Sequence, residues 1–204
     1  IWVGPNCHLV HYPLRGGEQY NVVVTFHSRQ QEQWGVTDGS KEEVQSYFQG
    51  ILPKARQLID LPKSWKRWAT ADREPIGQWT YGRVTLLGDA AHPTTQYMAQ
   101  GACMAIEDAV TLGEALAASD HDWGRALNLY QHARVARTAR IVLSGREMGR
   151  IYHAKGVERL VRNDLWRGRS PERFYDAVQW LYGWNVGNCL DAGLRELGQE
   201  PVTA

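Results

Sequence analysis

The chain has 204 residues, of which 43% are hydrophobic, and a formal net charge of +1. That length and apolar content can bury a sizeable core in one or two domains. The near-neutral balance argues against nucleic acid or a membrane surface as partner, because both normally bind a basic face. No apolar run approaches the roughly 20 residues of a membrane span. Three widely spaced cysteines (Cys7, Cys103 and Cys189) indicate reduced thiols in the cytoplasm rather than a disulfide framework or a metal site.

Two β-favouring runs, 8–13 and 20–27, flank a glycine-containing segment and predict a hairpin. Because side chains alternate across a strand, His8 and Tyr12 share one face and His11 lies on the other. Strand rise separates the Cα atoms of His8 and Tyr12 by roughly 13 Å, which could bracket a small aromatic acid. From spacing alone, a satisfied or exposed strand histidine beside a half-buried tyrosine is the favoured interpretation.

The next segments predict helices that cover a sheet. Ser40, with Glu43 three residues later, predicts a helix that continues to about residue 50, and Pro53 predicts a second one up to about residue 61. Three tryptophans are expected in the core because each buries a large area. They are Trp65, Trp68 and Trp79. The charges of the segment 72–75 are expected to form structural ion pairs.

The segment from Gly82 to His92 is the most informative one. Within it, Val84–Leu87 predicts a short buried strand that stops at a glycine and a carboxylate, Gly88–Asp89. A polar loop follows, and Gly101 then opens a helix of small residues. Ligands of α/β sheets lie outside the carboxyl ends of strands, and helix N-termini offer amides and a positive dipole end. The segment therefore predicts a ligand site, in which the carboxylate suits ribose hydroxyls; a strand, loop and helix that merely pack together is the alternative.

Two helices follow this loop. In the first, expected over residues 102–118, one face is predicted to pack against the sheet. That face comprises Ala102, Ile106, Ala109, Gly113 and Leu116. Asp122 is expected to cap a second helix from Trp123. Its arginines (Arg134, Arg137 and Arg140) could bind phosphates, but a solvated helix face is the favoured interpretation.

The last part of the chain is predicted to be helical, with a clear helix start at 170–172. It is rich in aromatic residues, which could be core or could form a subunit interface in a homodimer. These residues are Phe174, Tyr175, Trp180, Tyr182 and Trp184.

The run Gly88–Pro93, together with Gly101 and the stretch Ala105–Ala109, closely resembles the second flavin-binding motif of single-component flavoprotein aromatic hydroxylases. These are the FAD monooxygenases typified by p-hydroxybenzoate and salicylate hydroxylases. The resemblance implies that Asp89 holds the ribityl or ribose part of FAD and that amides at 101–103 face the isoalloxazine. The cofactor-binding residues expected from it are Gly88, Asp89, Pro93, Gly101, Ala102 and Cys103.

The resemblance also implies the fold, which is mixed α/β (an α+β fragment) and corresponds to the C-terminal half of a p-hydroxybenzoate hydroxylase-like FAD-binding fold. No Gly-x-Gly-x-x-Gly follows a strand here, and the family carries that fingerprint near the N-terminus of a chain about twice as long. We therefore expect a C-terminal fragment. Residues 1–75 are assigned to the second half of the substrate domain, 76–120 to the end of the FAD domain, and 121–204 to a helical region.

Residues of the substrate site are expected from the same resemblance. In hydroxylases of the 3-hydroxybenzoate type, this strand carries a catalytic histidine and a tyrosine near the substrate carboxylate, which His8 and Tyr12 match. Residues 96–101 resemble the same branch, whereas many relatives have consecutive prolines at Thr95–Gln96. Gln96 is therefore expected to orient the substrate hydroxyl and act in catalysis, with loop rigidity through local hydrogen bonds as its alternative role.

The function implied is that of an FAD-dependent monooxygenase that uses NAD(P)H and O₂ and hydroxylates a small phenolic acid. The leading reaction for the intact enzyme is conversion of 3-hydroxybenzoate to gentisate. A decarboxylating salicylate hydroxylase, which gives catechol, is the alternative. An alternative of another class is a non-catalytic, FAD-free assembly fragment.

Overall fold

A computed structural model describes residues 1–31 and 34–199. The strands are β1 (Trp2–Gly4), β2 (Cys7–Leu14), β3 (Gln19–Phe26), β4 (Val36–Gly39), β5 (Trp65–Trp68), β6 (Thr80–Tyr81) and β7 (Val84–Thr85). The helices are α1 (Lys41–Tyr47), α2 (Pro53–Asp60), α3 (Gly101–Ala118), α4 (Trp123–Tyr152), α5 (Gly156–Trp166), α6 (Pro171–Tyr182) and α7 (Asp191–Glu196). The expected mixture of helices and strands is confirmed. Across the described ranges, none of these helices is long and apolar enough to span a membrane.

The chain folds as two compact units. The first contains Ile1–Thr70 and Gly149–Arg167. The second contains Ala71–Met148 and the residues from Gly168 onwards. The three-part assignment of the chain to a substrate domain, an FAD domain and a helical region stays a prediction.

The first unit is organised by an antiparallel sheet in the order β1-β2-β3. The β2–β3 hairpin is the one that the sequence predicts, and its register places His8 opposite Thr25 and Tyr12 opposite Asn21. Leu9, on the other face of β2, is fully buried. It belongs to a core cluster of Cys7, Leu9, Val44, Phe48, Ile59 and Trp65.

The predicted helix starts in this unit are confirmed. The Ser40 hydroxyl accepts a hydrogen bond from the Glu43 amide at 3.0 Å, which is the expected N-cap of α1. This helix ends at Tyr47, before the predicted residue 50, and Phe48 then enters the core. Pro53 occupies the first turn of α2, where its missing amide hydrogen costs no helical bond.

Two of the three tryptophans lie in the core as expected, and one does not. Trp65 and Trp79 are buried, whereas Trp68 is 60% exposed. The reason is strand alternation, because Trp68 shares the exposed face of β5 with Lys66 while Trp65 faces inward.

The second unit contains the β6–β7 hairpin, and here the expected buried strand is wrong. The strand β7 covers only Val84–Thr85, and Val84 is 67% exposed. Among the described residues, β7 pairs with β6 alone in a two-stranded sheet. An apolar run does not specify how many strands pair with it, so hydrophobicity alone could not distinguish a buried central strand from an exposed two-stranded hairpin.

Both long helices of this unit begin where the sequence predicts. Helix α3 runs from Gly101 to Ala118, and the Asp122 carboxylate accepts a bond from the Arg125 amide at 3.0 Å at the start of α4. The predicted orientation of α3 is wrong, since Ile106 on the supposed packing face is 66% exposed. The buried residues of α3 are Met104, Glu107, Asp108, Thr111 and Ala115. Glu107 and Asp108 on this face bind arginines of α4, so they pack inward although charged residues normally face solvent.

The helix start predicted at 170–172 is confirmed, with Ser170 at the N-cap and Pro171 in the first turn of α6. The aromatic residues that follow divide between two environments. Trp180 packs against a buried cluster of Met104, Ile141 and Leu181. Phe174, Tyr175 and Tyr182 are exposed.

Candidate functional site

The turn after β7 requires a glycine. Gly88 has a φ of 59°, in the left-handed region that residues with a Cβ adopt at a cost. Its carbonyl accepts hydrogen bonds from the Ala91 and His92 amides at 2.9 Å each, which closes a short 3-10 helix at Gly88–Ala90. An added Cβ would also meet the Ala105 Cβ at 3.4 Å. The turn thus places the exposed carboxylate of Asp89 beside the first turns of α3.

Asp89 and the start of α3 line a cleft of ≈ 600 Å³. Its lining residues are Asp89, Thr94, Thr95, Gln96, Ala99, Gln100, Gly101, Ala102 and Ala105. The N-cap position of α3, Gln100, makes no side-chain cap hydrogen bond to the helix. The N-terminus of α3 therefore presents the positive end of its dipole here without a capping side chain.

The loop of the cleft shows two features of a ligand site. Ala99 has a φ of 53°, an uncommon conformation for a residue with a Cβ. Oγ1 of Thr95 is buried and has no hydrogen-bond partner within the described part of the chain. An unpaired buried hydroxyl costs free energy, and a polar ligand in the cleft would supply its partner.

The structure gathers several residues that the sequence predicts for the cofactor. Asp89, Gly101 and Ala102 line the cleft, and so does Gln96, predicted for the substrate. Gly88 is a buried residue of the turn itself. Pro93 and Cys103 belong to the same segment but are not among the lining residues, and Cys103 is exposed on α3.

An ion-pair network that the sequence reading missed holds this turn in place. The Asp108 carboxylate accepts hydrogen bonds from the Gly88 amide at 2.9 Å, from His92 Nε2 at 2.6 Å and from Arg134 Nε at 2.7 Å. Both Asp108 and Arg134 have fully buried side chains. Burial raises the pKa of Asp108, but the bonds from His92 and Gly88 and the charge of Arg134 outweigh it, so the net pKa is lowered.

Glu107 extends the network to a second arginine. It accepts from Arg134 Nη1 at 2.7 Å and from Arg137 Nε and Nη2 at 2.8 Å and 2.7 Å. Desolvation raises its pKa, and the two guanidinium groups lower it by more, so it is ionised. The expectation of a solvated arginine face is therefore wrong for Arg134 and Arg137. It describes only Arg140, which is exposed and lies 3.9 Å from the centroid of the Trp180 ring.

The residues predicted around the substrate in the first unit have distinct environments. His8 is 2% exposed, and burial lowers its pKa to about 4. Tyr12, on the same strand, is 45% exposed. His11 contacts two other side chains of the sheet: Trp2 Nε1 donates to it at 3.0 Å, and its Nδ1 lies 2.9 Å from the Tyr20 hydroxyl. The catalytic and binding roles of His8, Tyr12 and Gln96 stay predictions.

His8 also has a partner that local sequence could not reveal. Its Nδ1 lies 2.8 Å from Nε2 of His153, a residue 145 positions away. The Nδ1 of His153 lies 3.0 Å from Nε2 of His27. All three histidines belong to the first unit.

Comparison with known proteins identifies the class. Residues 7–144 match the family described as FAD binding domain. The chain therefore belongs to this family of FAD-binding domains. The match confirms the resemblance that the Gly88–Pro93 motif indicates, and with it FAD as the cofactor.

Two curated relatives are highly similar. The chain is 86% identical over 190 residues to 3-hydroxybenzoate 6-hydroxylase of Polaromonas naphthalenivorans, covering 93% of this chain and 48% of that protein. It is 80% identical to 3-hydroxybenzoate 6-hydroxylase 2 of Aquipseudomonas alcaligenes, covering 95% of this chain and 61% of that protein. The chain thus spans between about half and three fifths of the length of these relatives.

A solved structure has the same fold. The salicylate hydroxylase substrate complex superposes with a TM-score of 0.78 at 25% sequence identity, covering 94% of this chain and 48% of that one. The expected relation of the fold to aromatic hydroxylases is therefore confirmed.

Proposed function

We propose that the intact protein is an FAD- and NAD(P)H-dependent monooxygenase that converts 3-hydroxybenzoate and O₂ to 2,5-dihydroxybenzoate. The observation that carries this proposal is the cleft that gathers Asp89, Gln96 and the start of α3. Relatives more than three quarters identical to this chain are named for that activity.

The cleft residues fit the cofactor. Asp89 would accept hydrogen bonds from ribityl or ribose hydroxyls, and the first-turn amides at 101–103 would face the electron-rich end of the isoalloxazine. The buried hydroxyl of Thr95 offers a further polar contact. The flavin, once reduced, would supply the activated oxygen, and these residues would orient the flavin.

The substrate residues would act on the phenol and the carboxylate. His8 would accept the phenolic proton, which makes the ring more electron-rich and thus more reactive toward an electrophilic oxygen. Gln96 would hydrogen-bond the hydroxyl, and Tyr12 would bind the carboxylate. Anchoring two groups in a meta relation would present the carbon para to the hydroxyl.

Product analysis tests the reaction. Intact protein with FAD, NADH and O₂ should convert 3-hydroxybenzoate to 2,5-dihydroxybenzoate, identified by chromatography and mass spectrometry. The competing reaction is decarboxylating hydroxylation of salicylate, for which the support is a salicylate hydroxylase structure at only 25% sequence identity. Catechol formed from salicylate, with no product from 3-hydroxybenzoate, would establish that reaction and reject ours.

The role of Asp89 has a separate test. Asp89→Ala should weaken FAD binding by roughly 1–3 kcal/mol, because the ligand hydroxyls would lose a charged acceptor. The measurement is fluorescence titration of the intact apoprotein with FAD. Asp176→Ala, which removes an exposed carboxylate of α6, is the matched control and should bind FAD like the wild type. Equal affinity of Asp89→Ala and Asp176→Ala would remove Asp89 from the site.

We also propose a cytoplasmic location and a homodimer for the intact protein. The exposed aromatic side chains of α6, Tyr175 and Tyr182, support an interface on this helix, because aromatic residues are enriched in interfaces. Light scattering coupled to size exclusion would test the dimer. A monomer at micromolar concentration would contradict it.

A further inference from the structure

Three histidines of the first unit form a continuous row of hydrogen-bonded imidazoles. His8 Nδ1 contacts His153 Nε2 at 2.8 Å, and His153 Nδ1 contacts His27 Nε2 at 3.0 Å. His8 and His153 are buried, whereas His27 is exposed. The row therefore connects a buried position on β2 with solvent.

Backbone hydrogen bonds fix the three rings relative to each other. The β2–β3 register places His8 beside Thr25, two residues before His27. Asn6, with a φ of 58°, then bridges the other two backbones. Its carbonyl accepts from the His27 amide at 2.9 Å, and its own amide donates to the His153 carbonyl at 3.1 Å.

The hydrogen-bonding capacity of the rings imposes a direction on this row. A neutral imidazole has one N–H and one lone pair, so His153 donates to one neighbour and accepts from the other. Desolvation lowers the pKa of His8 to about 4 and that of His153 to about 3, so both rings are neutral near pH 7. A proton that enters at His8 is unfavourable there and has a bonded acceptor to which it can move.

We propose that His8, His153 and His27 form a proton relay that carries the phenolic proton of the substrate to solvent. This inference rests on the proposed function, in which His8 accepts that proton. It adds His153 and His27, which act through His8 and do not touch the substrate.

The transfers balance step by step. The phenolic O–H bond breaks and its proton binds Nε2 of His8, while the Nδ1 proton of His8 moves to Nε2 of His153. The Nδ1 proton of His153 moves to Nε2 of His27, which releases its own Nδ1 proton to water. Each ring is neutral again in the opposite tautomer, and one negative charge stays on the phenolate. The reverse passage returns a proton when the hydroxylated ring regains its phenol.

Substitutions along the row test the relay in the intact enzyme. His153→Phe keeps a planar ring but removes both nitrogens, and should slow hydroxylation by roughly 10²-fold, as expected when general acid–base transfer is lost. His27→Ala should slow it less and should be restored by free imidazole in the buffer, because the exposed end accepts a substitute base. His11→Gln, on the opposite face of the same strand, is the control and should hydroxylate at the wild-type rate.

The outcomes separate the relay from a structural role and from the proposed function. Wild-type rates in His153→Phe, or a His27→Ala defect that imidazole does not restore, would overturn the relay while the reaction itself stands. If His153→Phe fails to fold, the surface variant His27→Ala still decides. Absence of 2,5-dihydroxybenzoate with the wild-type enzyme would instead reject the proposed function.

A readout independent of activity is the tautomer of each ring, measured by ¹⁵N NMR of selectively labelled protein. Because Nδ1 of one ring faces Nε2 of the next, the row requires His8 and His153 to carry their proton on the same type of nitrogen. Matching neutral tautomers near pH 7 would support the relay even without turnover. Opposite tautomers, or a charged His153, would overturn it.

Discussion

The two units bury polar side chains in opposite ways. In the second, Asp108 and Glu107 are ionised and bound by Arg134 and Arg137 in charge-assisted hydrogen bonds. In the first, His8 and its neighbour His153 are buried as neutral rings. Paired ions hold a fixed geometry, since separating them leaves an uncompensated buried charge. Neutral imidazoles can exchange donor and acceptor roles at little cost, so their bonds can be inverted. The paired ions of the second unit therefore suit the support of a cofactor turn, and the neutral histidines of the first unit suit proton movement.

The largest effect is expected from breaking the buried ion pairs. Arg134→Met should lower the free energy of unfolding by about 3–5 kcal/mol, because it leaves two carboxylates buried with fewer counter-charges. Urea denaturation of the intact protein measures it. Arg140→Met, on the same helix but exposed over Trp180, is the control and should cost about 0.5–1 kcal/mol. Equal losses in the two variants would show that the network does not stabilise the fold.

Acid should weaken the same network only at low pH. Asp108 and Glu107 have pKa values lowered below their ordinary 3.8 and 4.5, so their contribution to stability is fully present above those values. It is lost as the pH falls through the folded-state pKa of each group. The difference in urea midpoint between the wild type and Arg134→Met should therefore stay constant from neutral pH downward and shrink only below the ordinary carboxylate range. A difference between these two proteins that already shrinks near pH 6 would contradict the assignment.

The histidine row should lose stability in a different and higher pH window. The pKa of His8 falls from 6.5 to about 4 and that of His153 from 6.5 to about 3 on folding, so the unfolded chain binds more protons below 6.5. Stability then decreases as the pH falls from 6.5 toward the two folded values. His153→Phe should remove part of this slope and leave the carboxylate loss at lower pH intact. An unchanged slope would mean that His153 is not buried as a neutral ring.

Local structure could be predicted from the sequence because its causes are local. The Ser40 cap, the Pro53 and Pro171 starts and the Asp122 cap each depend on residues within one helical turn. The cleft was predictable for a similar reason. Asp89 and Gly101 lie in one segment, where a glycine turn leads into a helix N-terminus, and both line the cleft.

Burial of charged and polar groups could not be predicted, because it depends on partners distant in sequence. Asp108 and Arg134 are 26 positions apart, and His8 and His153 are 145 apart. Taken alone, Asp108 and Arg134 resemble residues of a solvated helix face, and His8 resembles an isolated strand histidine. The sequence of α3 alone does not indicate that Asp108 faces inward and Ile106 faces solvent, because Asp108 is buried only together with Arg134.

The smallest effect is expected from a partly exposed ion-pair group in the second unit, Arg146 with Asp72 and Glu74. Comparing it with the Arg134 network shows how much burial adds to the stability that an ion pair contributes. Arg146 donates to Asp72 through Nε at 2.7 Å and to Glu74 through Nη1 at 2.6 Å, so its geometry is as good as that of Arg134. These are the structural pairs expected of the segment 72–75, but Glu74 is 80% exposed. Arg146→Met should therefore lower the free energy of unfolding only slightly, and much less than Arg134→Met does. About 1 M salt, where the Debye length is about 3 Å, should erase most of the small stability loss in Arg146→Met and leave the Arg134→Met loss largely intact. Urea denaturation of both variants at low and high salt measures this. If salt removed both losses to the same extent, solvent would screen the Asp108 network as well, and its supposed isolation from water would be wrong.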